Sequence, residues 1–295
     1  MKKIKTKKLK LKFESGCWHG HFKAMASPCE VLMEVANENL AEKILEAVMT
    51  EAQRIEQKFS RYRDDNIIYK INNANGIAVE VDEETARLID FSNQLTEMSE
   101  GLFDVTSGVL RKVWKFDGSN NVPEASEVKV MLENVGWSKV TWQDQIIQMP
   151  SGMEIDLGGV GKEYAVDRCV QIARGLTTES VLINFGGDLA TTGERRDGAC
   201  WSVGRLITGK DSAVALFKLY RGAIATSGDA HRYLLKDGVR YSHVLNPETG
   251  WSVHDAAHTV SVGASTCVEA GMMSTLAMLQ GKKAKAFLEL QEVDF

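Results

Sequence analysis

The residues whose types and spacing best suit chemistry lie between Glu154 and Arg168, in the run Glu-Ile-Asp-Leu-Gly-Gly-Val-Gly-Lys-Glu-Tyr-Ala-Val-Asp-Arg. Gly158, Gly159 and Gly161 let the backbone turn sharply and come close to a ligand. The pattern predicts a short strand, a glycine loop, and a helix continuing through Val166, Cys169, Val170 and Ala173 to Gly175. A helix opening on such a loop presents unpaired N–H groups and the positive end of its dipole, which suits phosphate. Lys162 falls in the first turn, where the dipole alone favours an acid, so it points to an anionic ligand nearby. Two common phosphate loops fail here. A P-loop needs glycine five residues before the Gly-Lys pair and Ser or Thr after it, but those places hold Asp156 and Glu163. The dinucleotide fingerprint Gly-x-Gly-x-x-Gly needs glycine at Tyr164. A glycine-rich strand-to-helix turn that binds nothing stays open as the alternative.

The chain that must position this loop has 295 residues, 44% hydrophobic and 25% charged, which is ordinary globular composition with ample core. Four prolines are spread along it, and no Ser/Pro-rich or low-complexity run suggests a linker, so one domain is expected. A formal net charge of −5 argues against general nucleic-acid binding. Residues 1–12 are a basic N-terminal segment without the apolar core of a signal peptide, and no stretch is long enough to cross a bilayer. It reads as a solvated or flexible end, with Leu9, Leu11 and Phe13 forming an edge strand; a polybasic membrane or partner contact is the alternative. The 5 cysteines are scattered and give neither a disulfide framework nor a zinc pattern. Cys17-Trp-His19-Gly-His21 resembles a metal patch but lacks a second cluster of ligands in the sequence.

Further elements follow from periodicity. Phe22–Val35 reads as a strand, and Leu40, Ile44, Val48, Ala52, Ile55 and Phe59 mark an amphipathic helix capped by Asn37. Ile77–Val81 is a short strand, after which Asp82 caps a helix bearing Leu88, Phe91, Leu95 and Met98 on one face. A helix is expected near Ser126–Val135 and strands across Val140–Met149. Strands follow at Ser180–Asp188, Cys200–Ile207, Ala213–Leu219 and Thr259–Val262. Asp237-Gly238 suits a type I′ turn in a hairpin from Tyr233 to Tyr241. Cys267–Leu279 is a helix that stops at Gly281, and Lys283–Leu290 is a shorter one. Without regular βαβ alternation, an α+β fold is expected.

Taken together, the motifs resemble one family. Phe103–Thr106 fits Phe-Asp-x-Thr, Asp156–Lys162 fits Asp-Leu-Gly-Gly-x-x-Lys, and Asn184–Asp188 fits Asn-x-Gly-Gly-Asp. Thr226–Gly228 fits Thr-Ser-Gly, and His243–Gly250 fits His-x-x-x-Pro-x-Thr-Gly. In that order they resemble the FAD:protein FMN transferases, the ApbE family, over Phe22 to Gly281. The resemblance implies a single ApbE-like α+β domain over 13–295, with mixed or antiparallel sheets and flanking helices. It implies an enzyme that takes FAD as substrate and, with Mg²⁺, passes FMN to a threonine of an acceptor flavoprotein while AMP leaves. Met25, Tyr62, Leu102, Phe103, Asp104, Asp156, Gly158, Gly159, Lys162, Thr226, Ser227 and Gly228 would bind FAD. Gly161 and Thr275 would contact the metal. His243 would help to deprotonate the acceptor threonine, its ordinary pKa suiting a base near neutrality.

The departures bear on the chemistry. Where the family carries Ala-Asp-Ala-x-x-Thr, this chain has Ala270-Gly-Met-Met-Ser-Thr275, so Gly271 replaces a carboxylate that would share a helical face with Thr275. Glu269 would point elsewhere on the helix. Ala26 and Ser27 stand where the family favours Gly-Thr, Asn66 where it favours Ser, and Glu163 where it favours Gly. The usual secretion signal is missing, so a cytoplasmic setting is expected. Two alternatives stay open: a flavin-nucleotide binding protein impaired by Gly271, and an FAD pyrophosphatase in which water is the attacking group.

Overall fold

The computed structural model describes residues 10–206, 214–229 and 232–295. Residues 1–9 of the basic segment and the predicted strand ends Ile207 and Ala213 lie outside these. In chain order come β1 (Lys10–Glu14), β2 (Cys17–Ala24), β3 (Ser27–Met33), α1 (Glu38–Phe59), α2 (Ile67–Asn72), β4 (Val79–Glu80) and α3 (Glu83–Met98). A 3₁₀ segment at Val105–Lys112 leads to α4 (Ala125–Leu132), β5 (Thr141–Gln143), β6 (Ile146–Gln148), α5 (Gly161–Leu176), β7 (Val181–Phe185) and β8 (Asp188–Thr191). The chain ends with β9 (Trp201–Leu206), β10 (Val214–Leu219), β11 (Gly222–Gly228), β12 (Tyr233–Lys236), β13 (Val239–Ser242), β14 (Thr259–Ala264), α6 (Cys267–Leu279) and α7 (Ala284–Leu290). This is an α+β fold. Its seven-stranded sheet has the order β1-β2-β3-β7-β8-β11-β14, with smaller sheets β4-β6-β5, β9-β10 and β12-β13.

The chain divides into two compact units: one takes residues up to Glu56, Lys162–Ala225 and Ala264–Val268, the other Gln57–Gly161, Thr226–Gly263 and Glu269–Phe295. In the first, antiparallel pairing runs from β1 through β2, β3, β7 and β8 to β11. α1 buries Ala41, Ile44, Leu45 and Val48, and a Cβ placed on Gly20 of β2 would lie 2.6 Å from Leu45, so helix and strand are in close contact. α5 meets α1 where Cys169 Sγ donates to the Val48 carbonyl at 3.6 Å. A separate apolar cluster of Leu182, Leu189, Trp201, Leu219 and Ile224 includes residues of β7 and β8. With four of its five residues buried, β7 reads as a continuous apolar run rather than an alternating one.

In the second unit Val109, Leu110, Val128 and Val135 pack around the buried Trp114. Trp114 also meets Trp251 edge-on at 5.4 Å. α6, α7 and β14 form another cluster through Val260, Val262, Ala277, Met278, Ala284 and Leu288. The predicted caps form: Asp82 accepts from Glu84 and Thr85 N–H, and Asn37 Oδ1 accepts from Leu40 N–H at 3.0 Å. Asp237 and Gly238, with φ of 52° and 76°, make the expected hairpin turn.

Two expectations are corrected. The predicted strand Phe22–Val35 is the end of one strand and the whole of another, joined by Met25-Ala26 in a two-residue turn with Ala24 opposite Ser27. Residues 154–156 form no strand. There, the Asn72 side chain takes both backbone groups of Ile155, donating to its carbonyl at 3.0 Å and accepting its N–H at 2.8 Å. Asp156 N–H then goes to the Val105 carbonyl, so Ile155 has no backbone group, and Asp156 no N–H, left for a ladder partner. The Met25-Ala26 turn is strained, because both φ values are positive (51° and 56°) in residues with a Cβ. Ala26→Gly is therefore expected to raise stability by up to about 1 kcal/mol in urea denaturation. No gain would mean that the turn is relaxed as it stands.

Candidate active site

The glycine loop is built around Asp156 in the second unit. Its Oδ2 accepts from Arg61 Nη1 at 2.6 Å and its Oδ1 from Gly158 N–H at 2.9 Å. The chain before it approaches closely: a Cβ on Gly108 would sit 2.6 Å from Asp156 Cβ, so only glycine fits there. Gly159 lies against the Phe103 ring, which a Cβ would meet at 3.2 Å. Arg61 also donates to the Tyr62 hydroxyl at 3.0 Å, leaving Tyr62 exposed. A cavity of about 250 Å³ opens here, its lining including Arg61, Tyr62, Arg63, Tyr69, Arg111 and Glu154. Each arginine of this lining is paired with a carboxylate, Arg61 with Asp156, Arg63 with Asp65 and Arg111 with Glu154, while the Tyr62 and Tyr69 rings are exposed.

Leu102 and Phe103 precede Asp104, whose buried carboxylate is taken up internally. It accepts from Thr106 N–H at 2.7 Å, Thr106 Oγ1 at 2.6 Å and Trp137 N–H at 2.8 Å. Asp104 therefore caps the 3₁₀ segment and holds the Trp137 turn. On β11, Thr226 Oγ1 pairs with Ser261 Oγ at 2.8 Å, and Gly228 allows the strand within 2.7 Å of the His258 carbonyl at its Cβ position. Ser227 Oγ meets Ser274 Oγ at 2.8 Å and Thr275 Oγ1 at 3.1 Å. Ser274 in turn donates to the Gly271 carbonyl at 3.0 Å.

This hydroxyl cluster tests the expected magnesium site. Magnesium is held through carboxylate oxygens together with phosphates and water. Along the Gly271–Thr275 face of α6 the side chains offer hydroxyls alone, and Thr275 already bonds to Ser227. These residues do not fit a magnesium site of their own.

His243 follows β13 and is half buried, its N–H donating to the Arg232 carbonyl at 3.2 Å. Its ring stands edge-on to Phe116 at 6.3 Å. The loop after it is organised by Asn246, whose Oδ1 accepts from Glu248 N–H at 2.7 Å and Thr249 N–H at 3.1 Å. Trp114 Nε1 fixes the far end by donating to the Gly250 carbonyl at 2.9 Å. The His-x-x-x-Pro-x-Thr-Gly run is thus a built loop that holds His243 against an aromatic core.

In the first unit Met25 lies at the β2–β3 turn, and Lys162 opens α5. Lys162 Nζ is 2.6 Å from Asp188 Oδ2, an almost fully buried carboxylate. The anion that the sequence seemed to require beside Lys162 is thus present within the protein. Burial pulls the Lys162 pKa down, but the Asp188 charge and hydrogen bond outweigh it and the net shift is upward. Glu163 points inward beside this pair, and its Oε2 has no hydrogen-bond partner among the described residues. Burial, followed by repulsion from Asp188, pushes its carboxyl up to about 8.

Sequence reasoning assigned no role to Arg61, Asp188 or the buried Glu163. Arg61 could have been found from the Arg-Tyr-Arg run around Tyr62. The Asn-x-Gly-Gly-Asp run contains Asp188 but does not indicate its partner, and nothing local in the sequence marks Glu163 as buried.

The glycine loop thus stands on an α+β scaffold beside paired arginines and exposed tyrosine rings. Residues 25–295 match the ApbE family, and the chain belongs to that family. A Treponema pallidum relative named FAD:protein FMN transferase is 30% identical over 258 residues, covering 80% of this chain and 71% of its own length. A Klebsiella pneumoniae relative of the same name is 26% identical over 281 residues, covering 92% of this chain and 85% of its own. The crystal structure of the ApbE protein from Thermotoga maritima is similar with a TM-score of 0.85 at 30% identity, covering 94% of this chain and 92% of that one. Among the described residues, no helix is long and apolar enough to cross a membrane.

Glu163 gives a pH test. Its unfolded carboxyl titrates near 4.5 and its folded one near 8. Between those values the folded protein keeps a proton that the unfolded chain has released, so stability falls as pH rises through that window. Glu163→Gln removes the titration, and its melting temperature is expected to vary less from about pH 5 to 8 and to exceed the parent's at pH 8. Parallel profiles for the two proteins would show that Glu163 ionises normally.

Proposed function

We propose that this chain is an FAD:protein FMN transferase, passing FMN from FAD to a threonine hydroxyl of an acceptor flavoprotein. The observation that carries this reading is the family match over 25–295, a range that contains the Asp156–Lys162, Thr226–Gly228 and His243–Gly250 runs on which the resemblance rests. In the reaction the threonine oxygen attacks the phosphorus on the riboflavin side of the pyrophosphate. The bond from that phosphorus to the bridging oxygen breaks, AMP leaves, and the hydroxyl proton passes to a base. In-line transfer of this kind needs charge neutralisation and a positioned proton acceptor. Within the first unit Lys162 opens α5 with its charge balanced by Asp188; within the second, His243, held by its loop, is the proton acceptor. In the second unit Tyr62 and Phe103 suit the flavin nucleotide through stacking, with Arg61, Leu102, Gly158 and Gly159 contributing surface and backbone; in the first, Met25 at the β2–β3 turn is a further contact. Asp104 acts through its cap on the chain beside Phe103.

The bare Gly271 position favours a second reading, in which the protein binds FAD and turns it over poorly. Incubation with FAD, Mg²⁺ and a threonine-bearing acceptor domain separates the two. A covalent FMN adduct with an equivalent of AMP is expected; AMP with free FMN would indicate hydrolysis, and intact bound FAD would indicate the binding protein. His243→Ala is expected to slow adduct formation by about 10²-fold or more while FAD binding is kept. An unchanged rate would remove His243 from the reaction. Gly271→Asp restores a carboxylate to the Thr275 face, and the Mg²⁺ concentration needed for half-maximal AMP release should fall by about tenfold. No change would mean that another group supplies that ligand.

A further inference from the structure

The first unit carries a cluster that the flavin chemistry does not use. His19 and His21 are two residues apart on β2, so their side chains share one face of the sheet. Glu30 of β3 lies directly opposite His21 in the antiparallel register, and therefore on that same face. His19 Nδ1 is 3.8 Å and His21 Nε2 3.9 Å from the same oxygen, Glu30 Oε1. The three donor atoms all lie within 4.8 Å of one another.

Both gaps are too long for hydrogen bonds. They are close to the separation of about 3.4 Å between ligand atoms around a tetrahedral ion with bonds of about 2 Å. The far side of His19 is also engaged: its Nε2 is 3.3 Å from Cys17 Sγ, while the Cys17 thiol donates to the Glu14 carbonyl at 3.6 Å. With the thiol proton directed at that carbonyl, Nε2–H can donate to the sulfur, which leaves the Nδ1 lone pair facing Glu30. A metal-ligating histidine characteristically has its other ring nitrogen engaged in this way. His21 is half exposed and Glu30 a third exposed, so an ion and a water ligand can reach the face. Lysines of β1 and β2 share this face, Lys23 lying two residues beyond His21. Lys12, opposite His19, is paired with Glu14 at 2.6 Å, and Lys10 stands opposite His21.

We propose that His19, His21 and Glu30 form a surface site for a borderline divalent metal ion, zinc foremost, which ties β2 to β3. Two imidazoles and one carboxylate suit Zn²⁺ with water as the fourth ligand, and do not suit Mg²⁺, which prefers oxygen. The site is independent of the flavin reaction and can be tested without FAD.

The full chain, freed of metal and kept reduced, is titrated with ZnCl₂ by calorimetry, and its melting is followed with and without zinc. One zinc per chain and a raised melting temperature are expected. His21→Ala and Glu30→Gln should each weaken binding at least tenfold and abolish the rise, while His254→Ala leaves both unchanged. Glu30→Gln keeps nearly the same shape, and its melting without metal shows whether the sheet is intact. A zinc-induced rise that persists in Glu30→Gln, or the absence of zinc binding to the parent, would overturn the site. So would an equal rise with MgCl₂ that Glu30→Gln removes.

Discussion

The ion pair between Lys162 and Asp188 is the constraint on which much of the first unit depends. Asp188 is almost fully buried, and a buried carboxylate without a cation is strongly unfavourable. It therefore has to stand where Lys162 can reach it, at the first residue of β8. The Gly186-Gly187 turn meets that demand: with φ of 65° and 103° it reverses the chain between β7 and β8 in a conformation that residues with a Cβ rarely adopt. Burial chiefly raises the Glu163 pKa, and within the pair the Asp188 charge adds to that while Lys162 opposes it. One strand-to-helix contact thus fixes a turn, a charged group at the start of α5 and a buried acid beside it.

In the second unit, side chains of similar chemistry divide between building and presenting. Asp104 and Asn246 have polar groups that could serve a ligand, yet three protein donors converge on Asp104 and the side-chain oxygen of Asn246 is taken by the loop it shapes. Asp156 holds the loop through Gly158 and also orients Arg61 at the cavity wall, balancing its charge. The Ser227–Ser274–Thr275 hydroxyls face one another. Gly271 gives that corner no carboxylate side chain.

The elements were largely legible where one local rule governed them. Apolar spacing near four marked α1, Asp82 capped α3, and Asp237-Gly238 closed its hairpin, because each signal lies within a few residues of its effect. Legibility failed where a distant group intervened. Ile155 reads as strand, but Asn72, 83 residues earlier, takes its hydrogen bonds. Met25-Ala26 lacks the usual residues of a tight turn, and the pairing of β2 with β3 imposes one.

By itself the sequence determined the α+β class, the glycine loop and the ordered motifs that place the chain in its family, since these are recorded in residue types at short or fixed spacing. Only the tertiary structure decided which charges meet. Lys162 reaches Asp188 across 26 positions and Arg61 reaches Asp156 across 95, and Glu30 joins two histidines on the neighbouring strand. Burial made the remaining distinctions, turning Glu163 from a surface acid of a first helical turn into a neutral carboxyl. No spacing rule records such partners, because strand register and helix packing, which bring them together, are properties of the whole folded unit.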